Sequence, residues 1–171
     1  KLYYAYADPA FTQFEAEPQE LFAYPRDCNI IDSDITKVGD RFHLFYVAHD
    51  KPGGIRQAAS NKINGGYVFD ETKVDPEKVA CEAPSVWKRT GTKTYVLMYD
   101  VFGVNPHNFG FSETTDFKTF KSIGRFNEGV MKTTNFTSPK HGAIIPITLA
   151  EARALAKQWK CDSWDQKSAA T

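Results

Sequence analysis

Glu82 is the acid in this sequence that is hardest to read as an ordinary surface turn. It lies between Cys81 and Ala83-Pro84, without the polar neighbours of an exposed loop. Upstream, Asp32, with Asp34 close behind it, heads a segment of the same design. Asp32-Ser-Asp-Ile-Thr-Lys-Val-Gly-Asp-Arg-Phe-His-Leu-Phe-Tyr46 runs from an acid through a short apolar strand ending near Lys, then a Gly turn, then a strand ending in Tyr. Glu82-Ala-Pro-Ser-Val-Trp-Lys-Arg-Thr-Gly-Thr-Lys-Thr-Tyr-Val-Leu-Met-Tyr99 does the same. Two carboxyls brought together split their proton affinities, so that one stays protonated and can serve as a general acid. Glycosidic cleavage needs such a group to protonate the leaving oxygen, and a carboxylate across the bond to activate water. The competing reading is that these acids, Asp32 and Asp34 especially, are strand-entry turn residues. Spacing alone favours it.

The elements that would position these acids are strands. Candidates are 2–7, 20–24, 34–38, 42–48, 55–60, 85–88, 94–99, 108–112, 121–126 and 142–147, separated by turn signals such as Gly39-Asp40, Asn64-Gly65-Gly66 and Gly91-Thr92. Short strands between such turns predict an all-β, antiparallel fold. The acid-to-Tyr repeat has the period of a propeller blade, and the first strand of each blade lines the central channel. Ala10-Phe-Thr-Gln-Phe14 is echoed by Asp116-Phe-Lys-Thr-Phe120. Residues 1–24 therefore read as the end of a blade, 30–74 and 82–126 as two blades, and 141–148 as the start of another. That makes about three blades of a partial propeller over 1–148. Thr148 and Glu151 fit a capping box, and Leu149, Ala152, Leu155, Ala156 and Trp159 follow helical spacing. A short amphipathic helix over 149–159, then a polar tail to 171, is expected.

Four segments in order resemble glycoside hydrolase family 43, a family of five-bladed β-propellers. Asn29-Ile-Ile-Asp-Ser-Asp-Ile35 with Phe-His-Leu-Phe-Tyr46 is similar to the blade carrying the aspartate that modulates the acid's pKa. That role falls on Asp32, with Asp34 as the alternative. Cys81-Glu-Ala-Pro-Ser-Val-Trp-Lys88 with Tyr-Val-Leu-Met-Tyr-Asp100 resembles the blade of the general acid, which falls on Glu82. Phe111-Ser-Glu-Thr-Thr-Asp-Phe-Lys-Thr-Phe120 and Ser138-Pro-Lys-His-Gly-Ala-Ile-Ile-Pro-Ile-Thr148 resemble two later family segments. The histidine of the last, His141, would face the active-site centre and the substrate. The resemblance implies inverting hydrolysis of an arabinose- or xylose-containing plant-type polysaccharide or oligosaccharide, in a secreted or periplasmic bacterial setting. It requires no cofactor, although it admits a central calcium.

The family's general base, an aspartate on an upstream blade, has no counterpart here. Asp8-Pro9 follows a Tyr-rich strand instead of preceding one and reads as a turn. The chain is thus expected to be a fragment, half of a two-chain propeller, or a degenerate, non-catalytic carbohydrate-binding relative. A β-rich interaction domain with surface-turn acids is a weaker third reading. His43 reads as a strand residue, His49 and His107 as loop residues, Trp87 as core, and Cys28, Cys81 and Cys161 as buried free thiols. Asn135-Phe-Thr137 matches a glycosylation sequon.

Composition excludes other classes. The 21 basic and 21 acidic residues cancel and form no basic stripe, so nucleic acid and anionic membrane are not expected partners. No apolar run approaches the ~20 residues of a membrane-spanning helix.

Overall fold

The computed structural model describes residues 1–51, 53–126, 128 and 137–161. Among the described residues, ten strands form three antiparallel sheets. β1 (Leu2–Tyr4) pairs with β2 (Gln19–Phe22). β3 (Ile30–Val38), β4 (Arg41–Ala48), β5 (Gly54–Ser60) and β6 (Val68–Asp70) make a four-stranded meander. β7 (Cys81–Lys88), β8 (Tyr95–Val101), β9 (Asn108–Thr114) and β10 (Lys121–Arg125) make a second. Gly39, at φ 59°, opens the tight turn from β3 to β4, and Gly91, at φ 73°, serves the β7–β8 connection. Both values lie in the left-handed region that glycine enters without steric cost.

The sheets stack face to face like propeller blades, and the strand sequences show why. Side chains alternate between the two faces of a strand, yet Leu44–Ala48 in β4 and Val96–Val101 in β8 are buried throughout. In β4, Phe45 and Val47 meet Leu97, Tyr99 and Val101 of β8 in a core between the two meanders. Leu44, Tyr46 and Ala48 turn the other way and pack with Leu21, Phe22 and Tyr24. On the far face of the second meander, Val96 and Met98 pack with Phe109, Phe111 and Phe126. Middle strands covered on both sides read as continuous apolar runs.

The close approach of β8 to β9 gives a direct test of this packing. Gly110 pairs with Tyr99, and a Cβ on it would lie 2.2 Å from Tyr99 Cε2 and 2.7 Å from Cζ. Tyr99 is buried and cannot swing away. Gly110→Ala is therefore expected to destabilise the chain by ~1–3 kcal/mol through overpacking, read as a lower urea midpoint with unchanged slope.

Several sequence expectations need correction. Residues 141–148 were expected to start a blade but form no strand. An apolar stretch becomes a strand only where its N–H and C=O groups find a ladder partner. None of the described strands pairs with this stretch, and Pro146 has no N–H to offer. β3 and β7 begin at Ile30 and Cys81, so Asp32 and Glu82 lie inside strands instead of at their entrances. β6, three residues long, carried too little alternation to be seen. The helix α1 (Leu149–Gln158) has the predicted capping box, but none of its residues is buried. Of the three free cysteines only Cys81 is buried; Cys28 is partly exposed and Cys161 is exposed beyond the unpacked helix. His107, in a loop as expected, is half-buried. The tail 162–171 and Asn135 of the sequon lie outside the described residues.

Candidate active site

β3 and β7 both break register shortly after they begin. The β3–β4 ladder runs from Ile31–Val47 to Asp34–Phe45, and the β7–β8 ladder from Glu82–Asp100 to Ser85–Met98. In each, two residues oppose one, which is a β-bulge. The first bulged residue has φ 50° in both strands: Asp32 in β3 and Ala83 in β7. Aspartate tolerates this left-handed conformation, whereas alanine pays ~1–2 kcal/mol for it. The structural counterpart of Asp32 is therefore Ala83, and that of Glu82 is Ile31. The sequence echo of the two acids is displaced by one residue.

They converge nonetheless. A carboxylate oxygen of Asp32, one of Glu82 and a ring nitrogen of His141 lie within 4.8 Å of one another. The bulges bring this about by bending each strand at the point where the two meanders meet. Asp32 Oδ2 crosses to accept the Ala83 amide at 3.2 Å. Asp34 Oδ2 accepts the Val86 amide at 2.8 Å and so fastens the two blades together. Burial raises the Asp34 carboxyl above its ordinary range, with the Val86 amide opposing. Of the two alternatives, Asp32 reaches Glu82 and Asp34 is turned to the main chain.

Glu82 is half-buried, with 17% of its side chain exposed. Its Oε1 lies 3.0 Å from Lys140 Nζ and 3.2 Å from His141 Nε2. His141, at φ 47°, is itself 52% exposed at the side chain. Hydrogen bonding to Glu82 raises the Lys140 ammonium above its ordinary range. Lys140 was not singled out in the sequence, although the Lys-His-Gly segment contained it. Asp100, the ladder partner of Glu82, was missed as well. An acid interrupting the apolar run Tyr95–Val101 was the available signal.

The other polar candidates lie elsewhere. His43 stacks on Phe117 with ring centroids 4.1 Å apart, and burial lowers its pKa. Asp8 caps its own turn, accepting the Thr12 amide and hydroxyl at 2.7 and 2.6 Å. Trp87 packs edge-on to Phe111. Asp32, Glu82 and His141 do not fit calcium. That ion takes six to eight oxygen ligands, while this cluster offers one nitrogen and already carries the Lys140 ammonium on Glu82.

No curated protein matches the sequence. Residues 1–153 match a family described as "Probable glycosyl hydrolase domain" and related by name to glycoside hydrolase family 43. The chain belongs to this family. Among solved structures, a glycosyl hydrolase from Bacteroides ovatus aligns with TM-score 0.50 at 17% identity, over 60% of this chain and 33% of that one. The second is a structure from work on the GH130 family of mannoside phosphorylases, which contains glycoside hydrolases that target β-1,2 mannosidic linkages in Candida mannan. It aligns with TM-score 0.50 at 16% identity, over 60% of this chain and 33% of that one. At these identities the likeness is one of fold. The chain spans about a third of the length of these structures. Its membership of the glycosyl hydrolase family supports a glycosidase or related carbohydrate-active role.

Proposed function

We propose that Glu82 is the general acid of an inverting glycosidase, with Asp32 as its modulating carboxylate and His141 facing the sugar. The observation that carries this reading is the meeting of Asp32, Glu82 and His141 within 4.8 Å, at the seam between two blades. Acid and base in an inverting enzyme stand ~6.5–9.5 Å apart to admit a water. Asp32 is too close to Glu82 to be that base. It is close enough to act on Glu82 through its charge, as a modulator does. The base is then supplied from outside this pair, by a further blade or a second chain that completes the propeller.

Arabinose- or xylose-containing plant-type saccharides are the substrates that the four family-43-like segments support. The mannosidic linkages of the GH130 family are the competing class. Aryl arabinofuranosides, xylosides and mannosides, offered to the intact protein that carries this chain, separate the two. Turnover of a pentoside with inversion at the anomeric carbon, followed by proton NMR, is the expected result. Retention, or turnover of the mannoside alone, would overturn it.

A second reading, a non-catalytic carbohydrate-binding propeller, draws on the Lys140–Glu82 ion pair, which occupies the oxygen that a leaving group would have to meet. It is distinguished by saccharide binding in calorimetry with no hydrolysis of any activated glycoside.

A further inference from the structure

Beside Glu82 and Asp32 lies a third carboxyl, which the glycosidase reading leaves unused. Asp100 of β8 is the direct ladder partner of Glu82 in β7. Residues so placed carry their Cβ atoms ~4.5–5.5 Å apart on one face of the sheet. Asp100 is completely buried, at 0% exposure. Neither of its carboxylate oxygens has a hydrogen-bond partner of good geometry among the described residues. Buried carboxyls are otherwise paired or bonded, because an isolated charge is costly away from water. The charged groups facing Asp100 are those of the candidate site: Glu82 from β7, and Lys140 and His141 from the segment that follows β10. Asp32 of β3 completes the cluster around Glu82 and Lys140.

We propose that Asp100 is a positioning residue for Glu82, the two carboxyls holding one proton in common with Asp100 as its buried seat. The proposal rests on Glu82 being the general acid, and it resolves a tension in that reading. Lys140 and His141 occupy Oε1 of Glu82 as ion-pair partners. A proton donor must nevertheless carry a proton when the glycosidic oxygen arrives. A proton stored on Asp100 satisfies both conditions. As a sugar displaces Lys140 from Oε1, the proton passes from Asp100 to Glu82. Asp100 is left as a carboxylate facing Lys140 and His141. Glu82 gives the proton to the leaving oxygen and becomes a carboxylate again, and solvent returns a proton to Asp100 by way of Glu82, whose side chain is 17% exposed. Burial first, and the charge of Glu82 second, hold the Asp100 carboxyl above the ordinary aspartate range, while Lys140, His141 and the His141 main chain oppose them.

Carbon-13 NMR of the side-chain carboxyls, followed through a pH titration of the chain labelled at Asp and Glu, tests this without requiring turnover. Asp100 should titrate above the ~3.9 of an unperturbed aspartate, and the Glu82 carboxyl carbon should show an inflection at the same pH, as coupled groups do. In Glu82→Gln the Asp100 midpoint should fall, because a neighbouring negative charge has been removed; in Lys140→Met it should rise. In Asp100→Asn the extra Glu82 inflection should vanish. An Asp100 midpoint that ignores Glu82→Gln, or a Glu82 signal with no inflection at the Asp100 midpoint, overturns the proposal. The wild-type and Glu82→Gln titrations decide the matter even if Asp100→Asn fails to fold. Loss of activity in Glu82→Gln without any response at Asp100 would leave the general acid standing and remove only the shared proton. Retained activity in Glu82→Gln would remove the general acid itself.

Discussion

Glu82→Gln in the intact, active protein is expected to lower turnover of an unactivated oligosaccharide by ~10²–10⁴-fold, the usual worth of positioned acid catalysis. The amide keeps the size and hydrogen-bonding capacity of the side chain, so the fold should persist. What disappears is the transferable proton. Substrates with a nitrophenol leaving group depart with little protonation and should lose far less. That difference separates a proton donor from a residue that only holds the sugar, whose loss would fall equally on both substrates. The substitution also removes the negative charge that meets Lys140 at 3.0 Å and His141 at 3.2 Å. Both of these side chains are substantially exposed, so solvent screens that loss and stability should change by well under the catalytic effect. Matched initial rates on the two substrates, with thermal melts of the two proteins, make the comparison.

The framework of the molecule was legible because middle strands buried on both faces leave an unmistakable trace, as in Leu44–Ala48 and Val96–Val101. The site was legible only in outline. The sequence echo set Asp32 against Glu82, whereas the ladders set Asp32 against Ala83 and Glu82 against Ile31. An offset of one residue in a strand normally sends a side chain to the opposite face. Here the bulges, invisible in a hydrophobic pattern, let two non-equivalent positions meet. Asp100 was hidden by the same apolar run that made β8 easy to find. Residues 141–148 misled in the other direction, since an alternating apolar pattern cannot show whether a pairing partner exists. The Phe echo, in contrast, holds down to the backbone. Phe11 and Phe117 stand at φ 56° and 57°, yet one is 87% exposed and the other 5%.

That contrast predicts two very different costs for the same substitution. Phe117 leaves the β9–β10 connection and enters the seam between the meanders. Its ring lies 4.1 Å from that of His43, 4.8 Å from Tyr95 and 6.3 Å from Phe45, centroid to centroid. Its carbonyl accepts the buried Gln57 Nε2 at 2.6 Å. The same seam brings Asp32 to Glu82, so Phe117 pins the blades that build the site. Phe117→Ala is expected to cost ~3–5 kcal/mol, the range for truncating a buried aromatic. That is a large part of the ~5–15 kcal/mol that stabilises a typical domain. Phe11 has the same backbone geometry but no blade against its ring among the described residues, and Phe11→Ala should change stability by no more than ~0.5 kcal/mol. Urea unfolding of the two variants measures the difference directly. Equal losses would mean that Phe117 is not the pin between the blades. If a second chain or further blade does complete the propeller, adding it should make Phe11→Ala nearly as costly as Phe117→Ala. A Phe11→Ala effect that stays near zero in that assembly would show that the added blade does not sit against this face.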